Sequence, residues 1–173
     1  MVLSMRCLPL FPRLIRTLLA CQSVVLVFLL TGCASTAHKS PRGLGYKPPS
    51  EVERNIRSYM KSWEGTPHRM GGTGGDGVDC SGLVMVAYRD LFDIQLPRST
   101  AEQIKAGRRI SRGNLEAGDL IFFLLPEKKR HVGIYLSKGD FVHVSSSQGV
   151  TISNLYGRYW RRAYWTARRV LSL

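Results

Sequence analysis

The chain has 173 residues, with 25 Lys and Arg against 12 Asp and Glu, and a formal net charge of +13 at pH 7. This length leaves room for one domain with appendages and excludes several large domains. The basic charge predicts anionic partners such as phospholipid headgroups or cell-wall polymers. Because no nucleic-acid-binding motif accompanies the charge, we expect no nucleic-acid partner.

The first 33 residues predict export. A basic start precedes residues 17–31, an uncharged and mostly apolar run of fifteen residues. This run is shorter than the ~20 residues of a spanning helix and suits a secretory signal. It ends in LLTGC, which resembles a bacterial lipobox in which Cys33 receives a lipid. We predict a lipoprotein signal peptide at residues 1–32, the alternative being an uncleaved N-terminal membrane anchor.

Residues 33–50 carry the lipidated cysteine and a polar segment rich in Ser, Pro and Gly, which predicts a flexible tether. Residues 51–173 then form the domain. Either alternative, a lipidated Cys33 or an uncleaved membrane anchor, would tether the protein to a membrane and place this domain outside the cytosol. Ala34 follows Cys33, and a lipoprotein of a two-membraned bacterium without aspartate at that position is expected on the periplasmic face of the outer membrane.

The cysteines are accounted for by this prediction, except one. Cys7 and Cys21 leave with the signal peptide and Cys33 is lipidated, so Cys80 has no partner for an intramolecular disulfide. Three explanations remain for an odd exported cysteine: a reactive thiol, a bond to another molecule, or an inert buried side chain.

Helical patterns dominate the first half of the domain. Residues 51–63 have apolar positions at helical spacing, and residues 80–92 form a second such helix with Asp79 as its N-cap. The glycine-rich residues 65–78 between them lack the ending of a phosphate-binding loop. Ser99 and Glu102 have capping-box spacing and predict a third helix.

Strand patterns follow after Gly118. Residues 119–125, 131–136 and 141–144 read as buried strands, and residues 150–152 and 164–171 as weaker ones. Helices first and strands afterwards predict an α+β fold, with N-terminal helices packed on a central antiparallel β-sheet.

The position of Cys80 suggests a nucleophile. A helix N-terminus carries partial positive charge, which favours the thiolate, and its N–H groups can hold a developing oxyanion. His131 and His143, on paired strands, are candidates for a general base and the group that orients it. Strand pairing centred on Ser137 places them opposite each other, whereas pairing centred on Lys138-Gly139 displaces them. Zinc is the competing use, although these residues lack close ligand pairs.

These segments resemble a known family. The stretches VDCSGLV, LPRSTAEQ, AGDLIFF, RHVGIYL and FVHVSSS are similar to those of the NlpC family of bacterial cell-wall cysteine peptidases, across about residues 62–170. The resemblance implies a papain-like fold, with Cys80 as nucleophile, His131 as base and His143 as its orienting residue. It also implies hydrolysis of peptide bonds in peptidoglycan stem peptides, with no cofactor or metal.

One position departs from the family pattern. His68 stands in GTPHR where relatives commonly have a tyrosine whose hydroxyl helps to form the oxyanion site, and we expect its ring N–H to substitute. Asp79 and Ser81 are predicted beside it on the substrate side. The predicted function is a lipid-anchored peptidoglycan endopeptidase. The alternatives are an amidase or acyltransferase on the same Cys-His scaffold, and a non-catalytic module that binds the cell wall.

Overall fold

The structure is a computed structural model that describes residues 50–171. The predicted signal peptide, Cys33 and nearly all of the tether lie outside the described residues. Within residues 50–171, no helix is long and apolar enough to cross a membrane.

Four α-helices occur in the described chain, at Glu51–Lys61 (α1), Cys80–Phe92 (α2), Thr100–Gln103 (α3) and Arg158–Ala163 (α4). The first two confirm the predicted helices, although α1 ends two residues early. The third is a single turn, and Ser99 Oγ donates to the Glu102 carboxylate at 2.8 Å without capping the backbone. The third helix predicted from the Ser99 and Glu102 spacing is therefore confirmed, although it lacks a side-chain cap.

The strands form two antiparallel sheets. Their bounds are Thr73–Gly74 (β1), Gly77–Val78 (β2), Arg108–Ile110 (β3), Leu120–Leu124 (β4), Arg130–Tyr135 (β5), Asp140–Ser145 (β6), Gly149–Asn154 (β7) and Tyr164–Arg169 (β8). The first two make a small hairpin inside the glycine-rich loop, and the rest form one sheet in the order β3-β8-β4-β5-β6-β7. The predicted α+β architecture is confirmed, whereas β1, β2, β3 and α4 were not predicted.

The central sheet separates two apolar clusters. On one face, α1 and α2 pack against even-numbered strand residues such as Phe122, Val132, Ile134 and Val142. On the other face, odd-numbered residues pack together with Trp160 of α4, and the buried members include Ile121, Phe123, Tyr135, Phe141 and Ala167. The alternation follows from the period of two of a β-strand, which sends successive side chains to opposite faces.

The register between β5 and β6 answers the question that the sequence left open. Ile134 pairs with Val142 and Tyr135 with Phe141, so the pairing is centred on Lys138. Neither alternative considered from the sequence is correct. Continuing this register by one pair brings His143 opposite Gly133, so His131 and His143 are diagonal neighbours on the same face.

Candidate active site

Asp79 fastens the start of α2 to the glycine-rich loop. Its Oδ1 accepts from the Gly82 N–H at 2.7 Å, which is the predicted N-cap, and its Oδ2 accepts from the Gly71 N–H at 2.8 Å. A Cβ at Gly82 would lie 2.3 Å from the Gly72 carbonyl oxygen, so only glycine lets the loop approach this closely. The loop therefore holds Cys80 at the first position of the helix.

The guanidinium of Arg98 also holds Asp79 in place. Arg98 donates from Nη1 to Asp79 Oδ1 at 2.9 Å and from Nη2 to Oδ2 at 2.7 Å, a bidentate pair. Ser81 Oγ also donates to Asp79, at 3.0 Å. Burial would raise the pKa of Asp79, but Arg98 and the N–H and hydroxyl donors lower it to about 2. The side chains of Asp79 and Ser81 are thus held by each other and by Arg98 at one wall of the cleft.

The thiol of Cys80 is half-buried and lies 3.8 Å from the Thr100 hydroxyl. Burial raises the pKa of Cys80, while the N–H groups of Val132 and Ser81 and the Thr100 hydroxyl act in the opposite direction. The sequence predicted a thiolate favoured by the helix N-terminus. Burial therefore acts against the thiolate that the helix N-terminus favours.

The two histidines contact each other directly. Nε2 of His131 lies 3.1 Å from Nδ1 of His143, and Nε2 of His143 lies 2.9 Å from Ser153 Oγ. A Cβ at Gly133 would lie 3.3 Å from the Cβ of His143 and 2.7 Å from the Val142 carbonyl oxygen. Glycine at this position therefore leaves room for His143 to lean across β5 toward His131.

Burial keeps the histidine pair neutral. His131 is 9% exposed and His143 is 3% exposed. Burial lowers the pKa of His131 to about 3, with smaller contributions from His143 and His68, and lowers that of His143 to about 4. Trp160 stacks on His131 at 5.7 Å between ring centroids and meets His143 edge-on at 4.8 Å. Both rings are thus held in place as neutral imidazoles.

One cleft brings the predicted site residues together. It has a volume of about 580 Å³, within the usual range for a ligand site. The cleft is lined by all six predicted catalytic and substrate-side residues, namely His68, Asp79, Cys80, Ser81, His131 and His143. His68 is exposed at its rim, and Lys129 and Arg130 contribute positive charge.

Four contributors were missed in the sequence. Thr100 contacts the thiol, Arg98 holds Asp79, Trp160 packs on the histidines, and Ser153 bonds to His143. Arg98 and Thr100 had an available signal, since both lie in the LPRSTAEQ stretch that resembles the family. Within residues 50–171, no group of three or more His, Cys, Asp or Glu side chains could hold a metal ion.

A cysteine at the start of a helix, packed against an antiparallel sheet that presents a histidine pair, defines a papain-like domain of the thiol-hydrolase class. Residues 65–169 match the family model of the NlpC/P60 family. The chain belongs to this family, which confirms the resemblance inferred from its motifs.

Individual relatives agree with this assignment. The chain is 40% identical over 159 residues to the probable endopeptidase NlpC of Escherichia coli, which covers 87% of this chain and 98% of the relative. It is 37% identical over 170 residues to the murein DD-endopeptidase MepS/murein LD-carboxypeptidase of E. coli, covering 87% and 90%. A crystal structure of a Bacillus cereus NlpC/P60 protein superposes with a TM-score of 0.64 at 31% identity, covering 72% of this chain and 42% of that one.

Proposed function

We propose that the protein is a peptidoglycan endopeptidase that cleaves stem-peptide amide bonds through Cys80, His131 and His143. The observation that carries the proposal is that the thiol of Cys80 and the hydrogen-bonded His131–His143 pair line the same cleft. A module that only binds the wall has no need of a thiol beside two neutral imidazoles. The E. coli relatives are named as endopeptidases and a carboxypeptidase, and one of them as acting on murein, which supports hydrolysis of peptide bonds in murein.

The first chemical step forms a carbon–sulfur bond. The proton of the Cys80 thiol passes to Nδ1 of His131 as the sulfur attacks the substrate carbonyl carbon. Nδ1 is the nitrogen available for this transfer, since Nε2 is bonded to His143. The carbonyl oxygen becomes an oxyanion, which N–H groups at the start of α2 and the His68 ring can stabilise.

The second step releases the amine and regenerates the enzyme. The protonated His131 donates to the leaving nitrogen as the carbon–nitrogen bond breaks and a thioester remains on Cys80. Water then attacks the thioester with His131 as base, which frees a carboxylate and restores the thiol. If an amine replaced water, the same scaffold would act as an acyltransferase, and the product mass would show the joined amine.

We also propose that the protein is an exported lipoprotein anchored through Cys33. The LLTGC stretch and the preceding apolar run support this, and the acyl chains would bind the membrane at roughly 0.8 kcal/mol per buried methylene. Ala34 favours the outer membrane if the cell has two membranes. Labelled palmitate is expected to enter the full chain and not its Cys33→Ala variant; equal labelling of both would contradict the lipidation.

The test of the activity uses the full chain in detergent micelles with purified peptidoglycan. Fragments identified by mass spectrometry are expected from the wild type and absent with Cys80→Ala, and their masses identify the bond. Equal fragments from both proteins would contradict the Cys80 mechanism. The absence of fragments from either, with wall binding retained, would favour the binding module.

His68 has its own test. If its ring N–H substitutes for the family tyrosine, His68→Tyr retains turnover while His68→Ala loses part of it. Unchanged turnover and pH profile in both variants would remove His68 from the oxyanion site.

A further inference from the structure

Three polar side chains form a diagonal row across the last three strands of the sheet. His131 on β5 contacts His143 on β6 at 3.1 Å, and His143 contacts Ser153 on β7 at 2.9 Å. In the register of β6 and β7, Phe141 pairs with Ser153 and His143 with Thr151. Ser153 is therefore one diagonal step from His143, as His143 is from His131.

While both rings are neutral, the protons of this row can be arranged in two orders, in which the hydrogen bonds run in opposite directions. In one order, His131 Nε2–H donates to His143 Nδ1, and His143 Nε2–H donates to Ser153 Oγ. In the other order, the serine hydroxyl donates to His143 and every hydrogen bond is reversed. The reversed order puts the proton of His131 on Nδ1, so that nitrogen can no longer accept the proton of Cys80.

Catalysis requires the first order. When His131 receives the proton of Cys80, both of its nitrogens become donors, so His143 must accept at Nδ1 and carry its own proton on Nε2. Ser153 Oγ is the side-chain acceptor within reach of that proton in the described structure. His143 is 3% exposed and Trp160 lies 4.8 Å from its ring, so bulk water has little access to take the place of the serine.

We propose that Ser153 is a positioning residue that sets the tautomer of His143, and through it keeps Nδ1 of His131 free to act as the base. The inference rests on the proposed hydrolase function, because that reaction requires Nδ1 of His131 to be free of a proton. Ser153 itself does not touch the substrate. Its backbone is fixed by the β6–β7 ladder, so the hydroxyl is held at the correct end of the row before substrate arrives.

The first measurement observes the proton order directly and needs no turnover. Nitrogen-15 NMR of histidine-labelled full chain in micelles, with signals assigned by His131→Asn and His143→Asn variants, reports which nitrogen of each ring carries hydrogen. We expect the Nε2–H form for both rings in the wild type and in Ser153→Thr, which keeps the hydroxyl. Ser153→Ala is expected to add the Nδ1–H form of His143. A wild-type His143 in the Nδ1–H form, or no change in Ser153→Ala, would overturn the proposal.

The second measurement is steady-state cleavage of soluble muropeptides. Loss of one hydrogen-bond acceptor for a buried donor predicts about a tenfold fall in kcat for Ser153→Ala, with KM within about twofold. Ser153→Thr should restore most of the rate. The matched control is Thr151→Val on the same strand, because the Thr151 hydroxyl makes no hydrogen bond to any residue between 50 and 171. The rate of this control variant should equal that of the wild type.

The two proposals fail differently. A wild type with the expected tautomers but without turnover would contradict the hydrolase function and leave the proton order standing. Normal kcat in Ser153→Ala, or an equal loss in Thr151→Val, would overturn the role of Ser153 and leave the hydrolase function intact.

Discussion

The two faces of the central sheet use the same strands for different purposes. On the face covered by α1 and α2, strands β5 and β6 contribute fully buried apolar side chains such as Ile134 and Val142. On the opposite face, the same strands contribute His131 and His143, packed against aromatic rings. Substitutions of adjacent residues on β5 and β6 should therefore differ in effect, because the helix-covered face of these two strands contributes to the core, whereas the opposite face also carries the proposed base and its orienting residue.

The largest effect is expected on the histidine face. His131→Asn removes the proposed base while keeping a polar side chain, so kcat/KM on muropeptides should fall by about 10²–10⁴-fold. The free energy of unfolding at neutral pH should change little by comparison, as measured by urea titration. A variant that keeps more than a tenth of the wild-type rate would contradict the assignment of His131 as base.

Gly133→Ala should lower both stability and activity, because its new Cβ would contact both the backbone of β6 and the side chain of His143. The contact of 2.7 Å with the Val142 carbonyl oxygen must be relieved, at a cost of about 1–3 kcal/mol. The displacement of His143 should lower kcat by about 10–100-fold.

The matched control for that variant is Gly113→Ala, where an added Cβ meets nothing within 4 Å. Thermal unfolding and turnover of this control should match the wild type. If Gly133→Ala behaved like the control, the room that Gly133 leaves for His143 would be irrelevant to the site.

Between about pH 4 and 6.5, the pH dependence of stability should come mainly from His131 and His143. Burial lowers the pKa of His131 to about 3 and that of His143 to about 4, below the ordinary 6.5. The unfolded chain therefore binds more protons than the folded one between about pH 4 and 6.5. Stability is fully present above pH 6.5 and is lost as pH falls, by up to ~1.4 kcal/mol per pH unit for each histidine.

Replacing one histidine tests this sign. His143→Phe should make the slope of unfolding free energy against pH about half as steep between pH 4.5 and 6, as measured by urea titration at several pH values. An unchanged slope would mean that His143 is protonated in the folded protein across this range.

The smallest effect is expected on the helix-covered face. Ile134→Val removes one methylene group from a fully buried side chain and should cost about 0.5–1.5 kcal/mol of stability. Turnover per folded molecule should stay within about twofold, although Ile134 is only three residues from His131. Ile152→Val is the matched control, because Ile152 is 47% exposed and its shortening should leave the melting temperature nearly unchanged. A larger loss of activity than of stability in Ile134→Val would contradict the division between the faces.

The sequence by itself determined the class of fold, the start of the cysteine helix and six of the residues that line the cleft. Hydrophobic periodicity and the Asp79 cap suffice for the first two, because both depend on residues close together in the chain. The motifs around Cys80, His131 and His143 indicated the third through their resemblance to a family. Short segments were missed, since β3 has three residues and α4 has six residues, none of them fully buried.

Only the tertiary structure decided how these residues act on each other. The register centred on Lys138 makes the histidines diagonal neighbours, and a shift of one residue would have sent one of them to the opposite face. Burial in the folded protein raises the pKa of Cys80 against the effect of the helix N-terminus, because desolvation depends on everything packed around the sulfur. Ser153 reaches His143 across a strand pair, a contact between residues whose spacing in the chain carries no signal of its own.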